Sequence, residues 1–159
     1  MISKSIPGRL NLEDIDQLIE LVSGRAVFQL GCYCGRGLVI LAQHARRVWV
    51  LDDFKYPNQS TGGISEELKS NVDRLAPPES KINLLYGTAD GWVVPEGSED
   101  LDQGDIRVVY RDANRPESYR EADEKLVVSL LRHGGVYAWH DEDGDLKWLK
   151  VEPVPVEVN

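Results

Sequence analysis

Several short apolar runs in this chain end on residues that can hold or move a proton. VWVLD ends on Asp52, IRVVYRD on Asp112, and VYAWHD on His140 and Asp141. A carboxylate has acceptors and no donors, so Asp52 suits a pair of ligand hydroxyls. His140, whose ordinary pKa is about 6.5, is a candidate general base. Asp112 and Asp141 are carboxylates and His140 an imidazole at two of these run ends, with Glu142 next in sequence. Two carboxylates with an imidazole suit manganese or iron better than magnesium, which prefers oxygen. Arg115 follows Asp112 by three residues. It stays protonated, so it would steady an oxyanion rather than take up a proton.

These residues need a scaffold that gathers the run ends. The residues from Leu12 to Val22 follow helical spacing behind Asn11 as N-cap, and Gly24 stops them. AVFQLG, VWVLD, INLLYG, IRVVYRD and VYAWHD then read as buried strands. Helices fall at 35–45, 64–75 and 118–132, and residues 53–63 and 90–105 read as irregular segments. Such alternation predicts an α/β fold, a doubly wound, mostly parallel sheet with helices on both faces. The expected organisation is one domain over residues 1–159. It comprises an N-terminal helix (1–25), a core (26–141) and an edge strand or tail (142–159), so the sheet is truncated at its C-terminal end. Pro153 and Pro155 confine that tail to an edge. Ligands on such sheets bind at the carboxyl ends of the strands, where the winding reverses.

GCYCGRG, residues 31–37, sits at one such end. Gly31 permits a tight turn out of the strand, while Gly35 and Gly37 would let backbone approach a ligand closely. A dinucleotide fingerprint read from Gly35 puts Ile40 where a third glycine belongs, and the chain has no Gly-Lys dipeptide for a P-loop. Cys32 and Cys34 have no second pair and are not a zinc site. DEDGDLKWLKVE, residues 141–152, places acids at calcium-loop positions, but Leu146 stands where glycine is required. It reads as an acidic turn. Tyr119 either faces the same site as Asp112 and Arg115 or starts a helix's apolar face, the second being the preferred reading.

VFQLGCYCGRGLVILA followed by VWVLDDF resembles the cofactor-binding segment of class I S-adenosylmethionine-dependent methyltransferases, in particular the catechol O-methyltransferase-like, small-molecule type. VVYRDANRPESY and LLRHGGVYAWHD resemble later motifs of these enzymes, so the likeness runs in order over residues 26–141. It implies that Gly31, Cys32, Tyr33 and Gly35 surround the cofactor's amino-acid end. Asp52 would bind the ribose hydroxyls, with Asp53 beside it, and Phe54 would cover the adenine. Thr88, Ala89, Asp90 and Asp112 complete the implied cofactor set. Asp112 matches a magnesium-holding carboxylate of the catechol enzymes, His140-Asp141 stands where they carry Asp-Asn, and Arg115 where they carry a catalytic lysine, so the resemblance implies a divalent-metal set of Asp112, His140 and Asp141 with Glu142 as a spare carboxylate. Gln29 stands where Glu is usual.

The implied function is methyl transfer from S-adenosylmethionine to a small molecule at oxygen, with Asp112, His140 and Arg115 as catalytic candidates and a divalent metal as assistant. The rival is a non-catalytic S-adenosylmethionine-binding regulatory or assembly subunit, which would bind the cofactor without turnover. With 27 acids against 18 bases, the net charge of −9 argues against general nucleic-acid binding. No membrane-length apolar run and no signal-peptide core occur, so a cytoplasmic location is expected. An apolar, proline-limited tail on an open sheet edge either pairs with a second copy, giving a homodimer or higher homo-oligomer, or folds back alone as one edge strand of a monomer.

Overall fold

The computed structural model describes residues 10–33, 35–55, 66–77, 81–93 and 106–155. Cys34, most of the irregular segments expected after Asp52 and Asp90, and residues 156–159 lie outside them. The helices are α1 (Leu12–Val22), α2 (Arg36–His44), α3 (Glu66–Leu75) and α4 (Arg120–Leu130). The strands are β1 (Ala26–Leu30), β2 (Arg47–Asp52), β3 (Ile82–Tyr86), β4 (Val108–Arg111), β5 (Gly135–His140) and β6 (Leu146–Val151). Asn11 caps α1 as expected, its side chain accepting from the Asp14 N–H at 2.9 Å.

The strands lie in the order β3-β2-β1-β4-β5-β6, all parallel except β6, which runs antiparallel to β5. The chain therefore winds one way from β1 to β3 and the other way from β4 onward. β1 and β4 pair side by side, with Leu30 opposite Arg111 and opposite Leu51 on β2. Their carboxyl ends open at the switch point, which puts Gly31, Asp52 and Asp112 around one crevice. The tail folds back as the single edge strand β6, whose outer edge is where an expected second copy would pair.

Side-chain alternation divides the core. Val27, Val48, Val50, Val108 and Tyr110 pack with Ile15, Leu18, Leu38, Leu41 and Leu68 on one face. Phe28, Leu30, Trp49, Leu51 and Val109 pack with Leu126, Leu130 and Tyr137 on the other. Both faces are thus covered by helices, which is why the strands read as continuous apolar runs. α1 is also tied to the far edge, because the Leu146 N–H donates to Asp14 Oδ1 at 3.2 Å. No helix among the described residues is long and apolar enough to cross a membrane.

Candidate active site

The loop leaving β1 is held from below by Asp52. Its Oδ2 accepts from the Cys32 N–H at 2.8 Å and its Oδ1 from the Phe54 N–H at 2.8 Å. A carboxylate still has lone pairs free after two such bonds. Phe54, with φ of +57°, stacks on Tyr86 at 6.0 Å. Gln29 is fully buried and donates from Nε2 to the Gly31 carbonyl at 2.8 Å, leaving Oε1 without a partner. Cys32 is buried, and burial together with the Asp52 and Asp112 charges pushes its thiol up, so it is no nucleophile.

Gly31, with φ of +79°, makes the tight turn expected of it. A Cβ on Gly31 would lie 2.8 Å from Arg115 Cδ, so the close approach this glycine permits is to the protein's own arginine. At Gly35 a Cβ would meet Leu68, and at Gly37 Tyr110 and Asp112. The latter two make room for α3 and β4.

Beyond β4, Asp112 is buried, and Oδ2 accepts from the Asn114 N–H at 2.9 Å. Burial pushes its carboxyl up to about 7; the Asn114 bond opposes the rise and the Asp52 charge adds to it. His140 is also buried. Its Nδ1 faces the Gly144 carbonyl at 3.0 Å, which can only accept, so Nδ1 carries the proton and Nε2 accepts from the Tyr110 hydroxyl at 2.9 Å. Burial holds the imidazole below its ordinary value despite that carbonyl and the neighbouring Asp14 and Asp141 charges. Both ring nitrogens are engaged, which leaves Asp112 the better placed proton acceptor.

Asp112, His140 and Asp141 do not converge as a metal set. Among the described residues, the acids whose ligand atoms cluster are Asp141, Asp143 and Asp145. There Asp141 Oδ1 accepts the Asp143 and Asp145 N–H groups, as an acidic turn does.

The sequence reading missed Asp123. It lies wholly buried on α4 and binds two arginines: Arg111 Nε donates to Oδ2 at 3.0 Å, while Arg115 donates from Nε and Nη2 at 3.0 and 2.9 Å. An acid inside the apolar stripe of residues 119, 122, 126 and 130 was the available signal. Tyr119 takes the other of its two expected places and faces the site: its hydroxyl donates to Asp53 Oδ2 at 2.6 Å. Burial would raise the Asp53 carboxyl, but this bond, the Lys55 N–H and the Arg115 charge bring it below its ordinary value.

Three spaces follow the strand ends. A cavity of about 650 Å3 lies beside Thr88, Ala89 and Asp90, bordered by Trp92 and Tyr119. A crevice of only about 10 Å3 is lined by Gly31, Cys32, Asp52, Asp53, Asp112 and Arg115, among others. A third cavity of about 990 Å3 opens over Asp112, Asn114, Trp139 and His140.

No protein-family model matches the chain, and no curated protein sequence does. Solved structures do. An O-methyltransferase from Bacillus cereus in complex with S-adenosylhomocysteine is 18% identical, with a TM-score of 0.57 over 86% of this chain and 60% of that one. An S-adenosylmethionine-dependent methyltransferase from Thiobacillus denitrificans, in complex with S-adenosylhomocysteine, is 18% identical, with a TM-score of 0.54 over 88% and 53%. The chain has the class I methyltransferase fold. A precorrin 8W decarboxylase from Methanobacterium thermoautotrophicum shares this methyltransferase fold at 20% identity and a TM-score of 0.56, over 86% of this chain and 66% of that one. The chain thus spans roughly half to two thirds of these proteins' lengths. A methyltransferase fold can carry more than one chemistry, so the reaction has to be argued from the site.

Proposed function

We propose that this protein is an S-adenosylmethionine-dependent methyltransferase acting on a small molecule at oxygen. The observation that carries the reading is the position of Asp112, which lines both the glycine-loop crevice and the 990 Å3 cavity. A group there with a pKa of about 7 can accept the acceptor's proton close to neutral pH. The cavity volume suits a small molecule rather than a polymer.

The residues present fit the cofactor by chemistry. Asp52 and Asp53 offer acceptors for ribose hydroxyls, Phe54 an aromatic face for adenine, and Thr88, Ala89 and Asp90 border an open space for its edge. Gly31, Cys32, Tyr33 and Gly35 would hold the amino-acid end, and Asp112 would close the set. When bound, the cofactor supplies a methyl carbon on a cationic sulfur. The protein's part is to align the acceptor oxygen with that carbon and to take its proton at Asp112. Arg115 would then be an electrostatic neighbour, and the dispersed metal candidates leave no step in this reading to a metal.

A non-catalytic cofactor-binding regulatory or assembly subunit would hold the cofactor through the same residues. Turnover separates the two, since only an enzyme forms S-adenosylhomocysteine with an acceptor.

Asp52→Ala should weaken S-adenosylmethionine binding by about 1.5–3 kcal/mol, the range for hydrogen bonds to a charged group. Calorimetry on both proteins checks this, and equal affinities would overturn the placement of Asp52 on the ribose.

A further inference from the structure

The crevice, as the protein holds it, is too small for any nucleoside. What fills it is the protein's own turn after β4. The Asn114 N–H binds the Asp112 side chain, and Arg111 Nη2 donates to the Pro116 carbonyl at 2.7 Å, so the turn is pinned to the strand end. From this turn the Arg115 side chain crosses the face of Gly31 and ends on Asp123. The Tyr119 ring lies against the Arg115 guanidinium at 4.7 Å, and its hydroxyl reaches Asp53 beyond the end of β2. Arginine and tyrosine together span the crevice from β4 to β2. Among the described residues, Tyr119 alone lines both the crevice and the 650 Å3 cavity beside Thr88 and Ala89. It therefore stands between the two spaces.

We infer that Arg115 and Tyr119 form an internal strap that holds the cofactor crevice shut, and that the Tyr119–Asp53 contact sets the affinity for S-adenosylmethionine. The inference rests on the cofactor reading above and adds to it a residue that governs entry. The strap places a guanidinium among Asp52, Asp53 and Asp112, whose charges it offsets. A ligand that displaces it has to satisfy the same acids, which favours one carrying a positive charge and hydroxyls. A closed state lowers apparent affinity by the fraction of molecules that are open, so weakening the closed state tightens binding.

The test uses the whole chain with Tyr119→Phe, which removes the hydroxyl and keeps the ring, and Tyr119→Leu, which removes both. Thermal unfolding first establishes that each variant is folded. S-adenosylmethionine is then titrated by calorimetry and mixed in a stopped-flow instrument. Tyr119→Phe should bind about tenfold more tightly than the wild type, and Tyr119→Leu more tightly still. The wild-type association rate should level off with cofactor concentration at the rate of strap opening, and the plateau should rise in the variants. A merely structural tyrosine would leave that plateau unmoved. If the wild type and both variants bind with the same affinity and the same linear rate, the strap is overturned and the cofactor reading stands. If none of the three proteins binds, the cofactor reading fails and the strap falls with it.

Discussion

Asp112→Asn is expected to lower kcat by about 10²–10⁴-fold, the usual loss on removing a positioned proton acceptor. Asparagine can still accept the Asn114 N–H, so the turn after β4 survives the change. In the wild type, activity should rise with pH through about 7 as the carboxylate forms. The groups around it are Asp52 on β2, Cys32 on the glycine loop, and Arg111 and Arg115; of these Asp52 holds its pKa up and the arginines hold it down. Stability should move the other way. Unfolded, this carboxyl ionises near 3.8, and folded near 7, so the native state binds more protons between those values. Its contribution to stability is therefore present at low pH and lost as pH rises through 7. Asp112→Asn removes that loss and should be stabilised on the order of 4 kcal/mol at pH 8. Denaturant unfolding of both proteins at pH 5 and 8 checks the sign. A variant that is both fully active and no more stable would rule out Asp112 as the base.

The largest stability loss should come from Asp123→Ala. That carboxylate is wholly buried, and both arginine side chains it binds are almost wholly so. Removing one partner from a buried ion pair leaves uncompensated charge, which costs about 3–5 kcal/mol. Arg111 keeps its bond to the Pro116 carbonyl, while Arg115 loses both bonds that hold it across Gly31. Urea unfolding should therefore show a lower midpoint with an unchanged slope. A loss under about 1 kcal/mol would mean that water reaches both guanidiniums in solution, contrary to their burial here.

Much of this architecture was legible because burial on two faces turns strands into unbroken apolar runs. Ala26–Leu30 and Arg47–Asp52 are such runs, and the residues just after them or at their ends form the site. Ile82–Tyr86 is half exposed at the sheet edge, yet glycine after Tyr86 still marked its end. What stayed hidden depends on contacts distant in sequence. Nothing in GCYCGRG says that Gly31 faces Arg115, 84 positions later, or that Gly37 is small because Tyr110 and Asp112 stand behind it. The locked imidazole of His140 needed the Gly144 carbonyl and the Tyr110 hydroxyl, which only the β5–β6 turn and β4 bring to it. Residues on one loop were easier to assign than residues whose role is set by another element's side chain.

The strand order has a consequence for how the chain is made. β1 sits in the middle of the sheet between β2 and β4, and Val27 pairs both with Val48 and with Val108. During synthesis β2 emerges soon after β1, but β4 comes some 80 residues later. Until it does, Val27, Phe28 and Leu30 carry an unpaired strand edge next to apolar side chains that have no second helix layer over them. Such an edge is a template for another chain, so nascent copies on one message are exposed to mispairing during that interval. The Asp14–Leu146 bond, linking positions 132 apart, forms only after the last strand arrives. Contacts this distant in sequence have to close long loops before they form, which slows folding.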